Sequence, residues 1–133
     1  MFSGEISKKS KHLSTGKIGE DLACAYLVKK GYTILSRNYK EKWDEIDIIG
    51  KNSTGTLVFF EVKTLTDKSQ GLVPEDNMTQ SKLKKLRRAC QMFAGKQPGL
   101  INNNVGWRID LVAIVLTGPN PRKDHVIRHY ENI

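Results

Sequence analysis

No stretch of this chain approaches the roughly 20 consecutive apolar residues that a bilayer-spanning helix needs. With a mean hydropathy of −0.45, a transmembrane protein is not expected. The opening residues, Met1 to His12, are polar and lysine-bearing and lack the apolar core of a secretory leader, so the expected location is cytoplasmic. Cysteine is scarce. Cys24 and Cys90 fall in different predicted helices, and in a reducing compartment they read as small apolar residues rather than as a disulfide or as ligands. The three histidines, His12, His125 and His129, fit neither C-x-x-C nor H-E-x-x-H spacing, so a zinc site is not expected. Acidic residues are also in deficit, 14 against 22 Lys and Arg, leaving a net charge of +8. Such a surplus favours polyanionic partners, because neutralising phosphates releases bound counterions. Membrane-surface attraction and plain solubility are the competing explanations of the charge.

A length of 133 residues with 38% hydrophobic content fits one domain with its own core. Residues 1–13 show no period and read as a flexible basic arm, leaving 14–133 as a single domain. A first helix is predicted from Ser14 or Thr15, with Ile18, Leu22, Ala25 and Tyr26 on one apolar face. It stops at Gly31 after Lys29-Lys30. Strands are predicted at Tyr32 to Tyr39, Asp44 to Ile49 and Thr56 to Thr64. The short turn-rich spacer Gly50 to Gly55 makes the last two antiparallel neighbours. Residues 66–78 read as a loop of functional length. Thr79 caps a second helix with Leu83, Leu86, Cys90 and Phe93 inward, ending at Gly95. A central apolar strand, Trp107 to Leu116, and an edge strand, His125 to Tyr130, complete the order α-β-β-β-α-β-β. The second helix serves as the crossover between strands of one sheet. No repeats or low-complexity segments occur.

The chemistry concentrates on the predicted hairpin. Residues i and i+2 of a strand share a face, so Glu45 and Asp47 point one way and Ile46 and Ile48 the other. On the next strand Glu61 and Lys63 share a face, with Phe60 and Val62 opposite. Three acids and a lysine beside two apolar strands are costly unless a cation or solvent compensates them. Phosphodiester cleavage needs such a set. Mg²⁺ takes oxygen ligands and keeps several waters. Asp47 and Glu61 would supply carboxylates and Val62 a backbone carbonyl, with Mn²⁺ as an alternative ion. Lys63 would stabilise the charge developing at phosphorus or orient the attacking water. A bare Glu-x-Lys is weak, and the competing reading is a solvated face of cross-strand ion pairs.

The segments Asp44-Glu45-Ile46-Asp47-Ile48-Ile49 and Phe59-Phe60-Glu61-Val62-Lys63-Thr64 resemble the PD-(D/E)xK nuclease superfamily. More narrowly, the chain resembles the YraN-like family of small bacterial proteins, itself similar to archaeal Holliday-junction resolvases. Gly16-Lys-Ile-Gly-Glu20-Asp-Leu-Ala23 resembles the family's first helix and Gly31 to Tyr39 its first strand. Lys82 to Ala89 fits its second helix, and Arg108-Ile-Asp110-Leu-Val its Arg-Phe-Asp-Val strand. The resemblance implies a restriction endonuclease-like α/β fold with a mixed central sheet and flanking helices. It assigns Asp47, Glu61 and Lys63 to catalytic places and brings Glu20 near the metal. It also implies a DNA substrate of branched or otherwise structured form and, as in resolvases, a homodimer. Two positions depart from the family pattern. Asp44 stands where the family has Gly before Glu-Ile-Asp, and Leu65 where it has Arg after Lys-Thr. The first adds negative charge where a phosphate approaches, and the second removes a phosphate clamp.

Around this set, Glu45 is either a support behind the metal ligands or a partner for Arg37. Lys82, Lys85 and Arg88 of the second helix, with Arg37, are the candidate nucleic-acid contacts. Arg108 and Asp110 share one strand face and are expected to serve structure, each pairing with the other's neighbours. Trp43 and Trp107 are core or rim residues, with base stacking as the alternative. The leading expectation is a Mg²⁺-dependent deoxyribonuclease. The alternatives are a non-catalytic nucleic-acid-binding module on the same fold, and an interaction protein whose basic helix docks an acidic partner.

Overall fold

The computed structural model describes residues 3–42, 44–66 and 78–133, with side chains described from Thr15 onward. Trp43 and most of the expected loop at 66–78 lie outside the described residues. The described elements are α1 (Ser3–Lys29), β1 (Thr33–Lys40), β2 (Glu45–Lys51), β3 (Leu57–Thr66), α2 (Gln80–Lys96), β4 (Trp107–Leu116) and β5 (His125–Tyr130), with one 3₁₀ turn at Pro98–Leu100. The five strands form one sheet in the order β1-β2-β3-β4-β5. All neighbours are antiparallel except β3 and β4, which run parallel from Leu57 beside Trp107 to Thr66 beside Leu116. A parallel pair needs a long connection, and α2 supplies it. The α/β class, the element order, the central place of β4 and the edge place of β5 agree with the sequence.

The sheet separates two apolar layers. Ala23 and Leu27 of α1 are buried with Tyr32, Ile48, Val58, Phe60, Val112 and Ile114 on one face. Leu86, Ala89, Cys90 and Phe93 of α2 are buried with Ile46, Ile49, Leu57, Phe59 and Ile109 on the other. Strand β3 alternates cleanly between these layers, as a strand buried on both sides must. Cys24 packs in the α1 layer and Cys90 in the α2 layer, so the sheet stands between the two thiols. Thr79 caps α2 by accepting from the backbone N–H of Lys82, as its hydroxyl is suited to do.

Three expectations need correction. Helix α1 begins at Ser3 rather than at Ser14 or Thr15. The segment lacks an apolar period but contains no proline to stop a helix. Second, Ala25 is exposed, whereas Ala23 and Leu27 are fully buried, so the inward face of α1 is rotated from the one the period indicated. Third, α2 passes through Gly95 to Lys96, because a glycine in a last turn weakens a helix without ending it.

Helix α1 meets β3 at Gly19. A Cβ there would strike the Oγ1 of Thr64 and lie 2.9 Å from its Cβ. Rotation of the threonine cannot clear the second contact, so the helix itself must move. Gly19→Ala is therefore expected to destabilise by about 1–3 kcal/mol through overpacking, offset by up to about 1 kcal/mol of helix propensity. Chemical denaturation would check this, and a variant as stable as the parent would contradict the close approach.

Candidate active site

The Asp47 carboxylate sits where β2 parts from β3. The ladder between these strands runs from Lys51 beside Leu57 to Ile48 beside Phe60 and continues no further towards Asp47. Beyond it, the Oδ2 of Asp47 accepts from the backbone N–H of Val62 at 2.8 Å. A side chain thus takes a β3 donor just past the end of the backbone ladder. Asn38, the residue that the β1–β2 register would set against Asp47, has φ +52°, a conformation asparagine tolerates better than most residues. Ile46 and Ile48 consequently enter opposite layers, although strict alternation puts them on one face. The sequence expectation for this pair is corrected by a local break in the pleat.

Burial raises the Asp47 carboxyl, and the Glu61 carboxyl beside it and the charge of Glu20 push it further, to about 8. The Val62 N–H opposes this shift. Glu61 faces the α2 layer, where its charge adds to the effect of burial in raising the Cys90 thiol. The Nζ of Lys63 lies 3.2 Å from the Oε2 of Glu61, both side chains being mostly covered. Glu20 lies on the α1 turn that Gly19 presses against Thr64. Asp47, Glu61 and Lys63 are therefore brought together from two adjacent strands, while Glu20 acts on Asp47 through its charge and its side chain lies by Arg37. Glu45 is exposed and its backbone pairs with Lys40.

Arg37 is held in the α1 layer. Its Nη2 is 2.8 Å from Asp21 and 3.6 Å from Glu20, so its partners are acids of α1 rather than Glu45. On α2, helical spacing puts Lys85 and Arg88 on the outward side and Lys82 towards the sheet side at the first turn. Arg88 contacts Asp44 at 3.1 Å. The four candidate nucleic-acid residues thus do not form one surface. Trp107 packs edge-on against Phe59 in the α2 layer.

A second polar cluster, only partly foreseen, lies across β4 and β5. Asp110, fully buried, accepts from Arg108 Nε at 2.9 Å and from the Asn132 N–H at 3.0 Å, and pairs with His129 Nε2 at 2.7 Å. Arg108 also donates to Tyr32, and His129 Nδ1 meets the Tyr26 hydroxyl at 3.0 Å. The Arg-x-Asp spacing put Arg108 and Asp110 on one strand face but did not signal their direct pairing. Nothing in the sequence signalled His129 or Tyr26, which lie 103 residues apart.

Among the described residues, no group of three or more His, Cys, Asp and Glu side chains could hold a metal. The donor set is the smaller one of two adjacent carboxylates. That set fits a magnesium-type ion, which usually binds through one or two protein carboxylates and retains waters.

The model of the uncharacterised protein family UPF0102 matches residues 19–114, from the α1 turn that holds Glu20 through most of β4. This chain belongs to the UPF0102 family. A UPF0102 protein of Chloroherpeton thalassium is 42% identical over 105 residues, covering 79% of this chain and 78% of that protein. One from Geobacter sulfurreducens is 36% identical over 129 residues, covering 96% and 95%. Among solved structures, the crystal structure of a repair endonuclease from Pyrococcus abyssi aligns with a TM-score of 0.39 and 11% identity. That alignment covers 91% of this chain and 41% of that enzyme. The span matched to UPF0102 contains Asp47, Glu61, Lys63, Arg88 and Asp110. Among the described residues, no helix of this UPF0102 chain is long and apolar enough to cross a membrane.

Proposed function

We propose that this protein is a cytoplasmic, divalent-metal-dependent nuclease of restriction endonuclease-like fold, acting on structured DNA. The observation that carries this reading is the seating of Asp47 against Glu61. Two carboxyls are held together in a half-buried site where burial and the neighbouring Glu61 disfavour ionisation of Asp47, raising it to about 8. Paired acids maintained at this cost are what a cation-binding centre needs. Asp47 and Glu61 would hold Mg²⁺ or Mn²⁺, with the Val62 carbonyl as a third protein oxygen. When bound, the ion would supply an acidified water and charge neutralisation at phosphorus.

The chain's own groups divide the remaining work. The Val62 N–H fixes the Asp47 carboxylate in orientation. Lys63 lies on the Glu61 side of the site and would stabilise the additional negative charge of the pentavalent phosphorus. Glu20 would act from α1 on the water side of the centre, and Glu45 from the exposed end of β2 as an outer support. As in resolvases, a homodimer would present two such sites to one branched substrate. A non-catalytic DNA-binding module is the second reading. It is favoured by the engagement of Glu61 with Lys63 and of Glu20 with Arg37.

Isothermal titration with Mg²⁺ and Mn²⁺ tests the proposal. Wild type is expected to bind at millimolar concentration or tighter, and Asp47→Asn to lose at least ten-fold in affinity with its fold intact. Absence of binding by wild type at millimolar metal would remove the nuclease reading. Salt-sensitive DNA binding that survived Asp47→Asn in that event would leave the binding-module reading.

A further inference from the structure

The outward side of α2 carries its own organisation. Ser81, Lys84, Lys85, Arg87, Arg88 and Gln91 line a shallow concavity of about 460 Å³. At 100° per residue they occupy the arc opposite the buried residues Leu86, Ala89, Cys90 and Phe93. From Ser81 to Gln91 the stripe rises about 15 Å, and no acidic residue lies on α2. Lys84 and Lys85 make no ion pair among the described residues. Arg88 differs. Its Nη2 lies 3.1 Å from the Oδ2 of Asp44, whose side chain is mostly covered while that of Arg88 is half exposed.

Asp44 is well fixed for this contact. Its backbone exchanges two hydrogen bonds with Glu41 across the β1–β2 turn. Glu41 in turn takes Lys96 at 2.6 Å and the Tyr39 hydroxyl at 2.8 Å. One turn therefore sends two acids onto two cations of α2. Glu41 pairs with Lys96 in the last turn of the helix, and Asp44 occupies Arg88, one turn on from Lys84.

We infer that the Lys84–Lys85–Arg88 stripe is a docking surface for the phosphate backbone of duplex DNA, and that Asp44 is a built-in competitor for Arg88 that sets its strength. The inference rests on the nucleic-acid reading above and names the surface through which it would operate. Closely spaced cations on a helix that carries no acid of its own match a regular line of phosphates better than the mixed charge of a protein surface. The stripe lies on the far side of α2 from Glu61, so it positions the duplex without entering the reacting centre. An exposed arginine held by one carboxylate can exchange that partner for a phosphate, and the exchange leaves Asp44 uncompensated. Wild type would therefore gain less from Arg88 than from either lysine.

The test is fluorescence anisotropy with a labelled 20-base-pair duplex, without metal, between 50 and 200 mM salt. Asp44→Asn should bind about eight-fold more tightly at 0.1 M salt, with log K falling more steeply by about 0.9 per unit log salt, the value of one added phosphate contact. Lys84→Ala/Lys85→Ala should lose about sixty-fold at the same salt, the value of two. In an Arg88→Ala background, Asp44→Asn should have less than a two-fold effect. Lys84, Lys85 and Arg88 are exposed and Asp44 is partly covered, and unchanged unfolding midpoints would confirm intact folds. An equal gain from Asp44→Asn with and without Arg88 would overturn the competition. Duplex binding indifferent to the two lysines would overturn the surface but leave the nucleic-acid reading standing. No duplex binding by any variant would overturn both. Equal binding of polyglutamate with the same lysine dependence would overturn the choice of DNA as occupant.

Discussion

Asp110→Ala should unfold at a markedly lower denaturant concentration than wild type, with a loss of about 3–5 kcal/mol. The carboxylate is fully buried and meets Arg108, His129 and the Asn132 backbone. Its removal leaves Arg108, itself mostly covered, without its main counter-charge. Hydrogen bonds from His129, Arg108 and Asn132 outweigh burial and hold the Asp110 carboxyl below its ordinary value. A group depressed in the folded state contributes stability that is complete above its unfolded value, near pH 4. That contribution is lost as pH falls through the folded value. Wild type should accordingly lose stability steeply below pH 4, and Asp110→Asn should flatten that acid limb. Equilibrium denaturation at pH 7 and across pH 2–5 would measure both effects. A loss under 1 kcal/mol at pH 7 would show that the cluster contributes little to the fold.

Asp47 should behave in the opposite sense. Its carboxyl is raised to about 8 in the folded protein and returns to about 4 on unfolding. Between these values the folded state holds the extra proton, so metal-free stability should fall as pH rises from about 4 to about 8. The slope for one proton is at most about 1.4 kcal/mol per pH unit. Asp47→Asn keeps an oxygen for the Val62 N–H and removes the charge. Its stability relative to wild type should rise steadily between pH 5 and pH 8, reaching a gain of roughly 1–3 kcal/mol, the usual scale for a poorly compensated buried polar group. Denaturation of both proteins in chelator at pH 5, 6.5 and 8 isolates this residue from the others that titrate. A difference that did not change with pH would mean that Asp47 is ionised throughout. Millimolar Mg²⁺ should stabilise wild type more at pH 8 than at pH 5, because the ion binds the deprotonated acids.

Element order was legible because each strand and helix carries its own local period. Trp107–Leu116 and His125–Tyr130 fall where the sequence put them. Placement of Glu61 and Lys63 opposite Phe60 and Val62 was equally legible, since β3 stays regular. What could not be read is where regularity fails. The positive φ of Asn38 and the parting of β2 from β3 accompany the reversed side taken by Ile46, and asparagine's tolerance of that conformation is too weak a signal to mark it inside a strand. The partners of Arg37 and Arg88 were also out of reach. Asp21 and Asp44 meet them only after α1 and α2 have packed on opposite faces. The extension of α1 to Ser3 shows that absence of an apolar period does not define where a helix starts.

The irregular stretch that seats Asp47 also bears on solubility. Strand β1 is one rim of the sheet, and a flat rim offers its unpaired backbone to other chains as a template for aggregation. Here the rim is interrupted twice, by the register shift between Ile34 and Ser36 and by the left-handed Asn38, and it carries Arg37 and Lys40. A foreign strand laid along β1 would lose register at both places and meet positive charge between and beyond them. The distortion that turns a carboxylate towards its site thus also protects an exposed edge. Variants that straightened β1 would therefore risk both the geometry of the acids and the solubility of the protein.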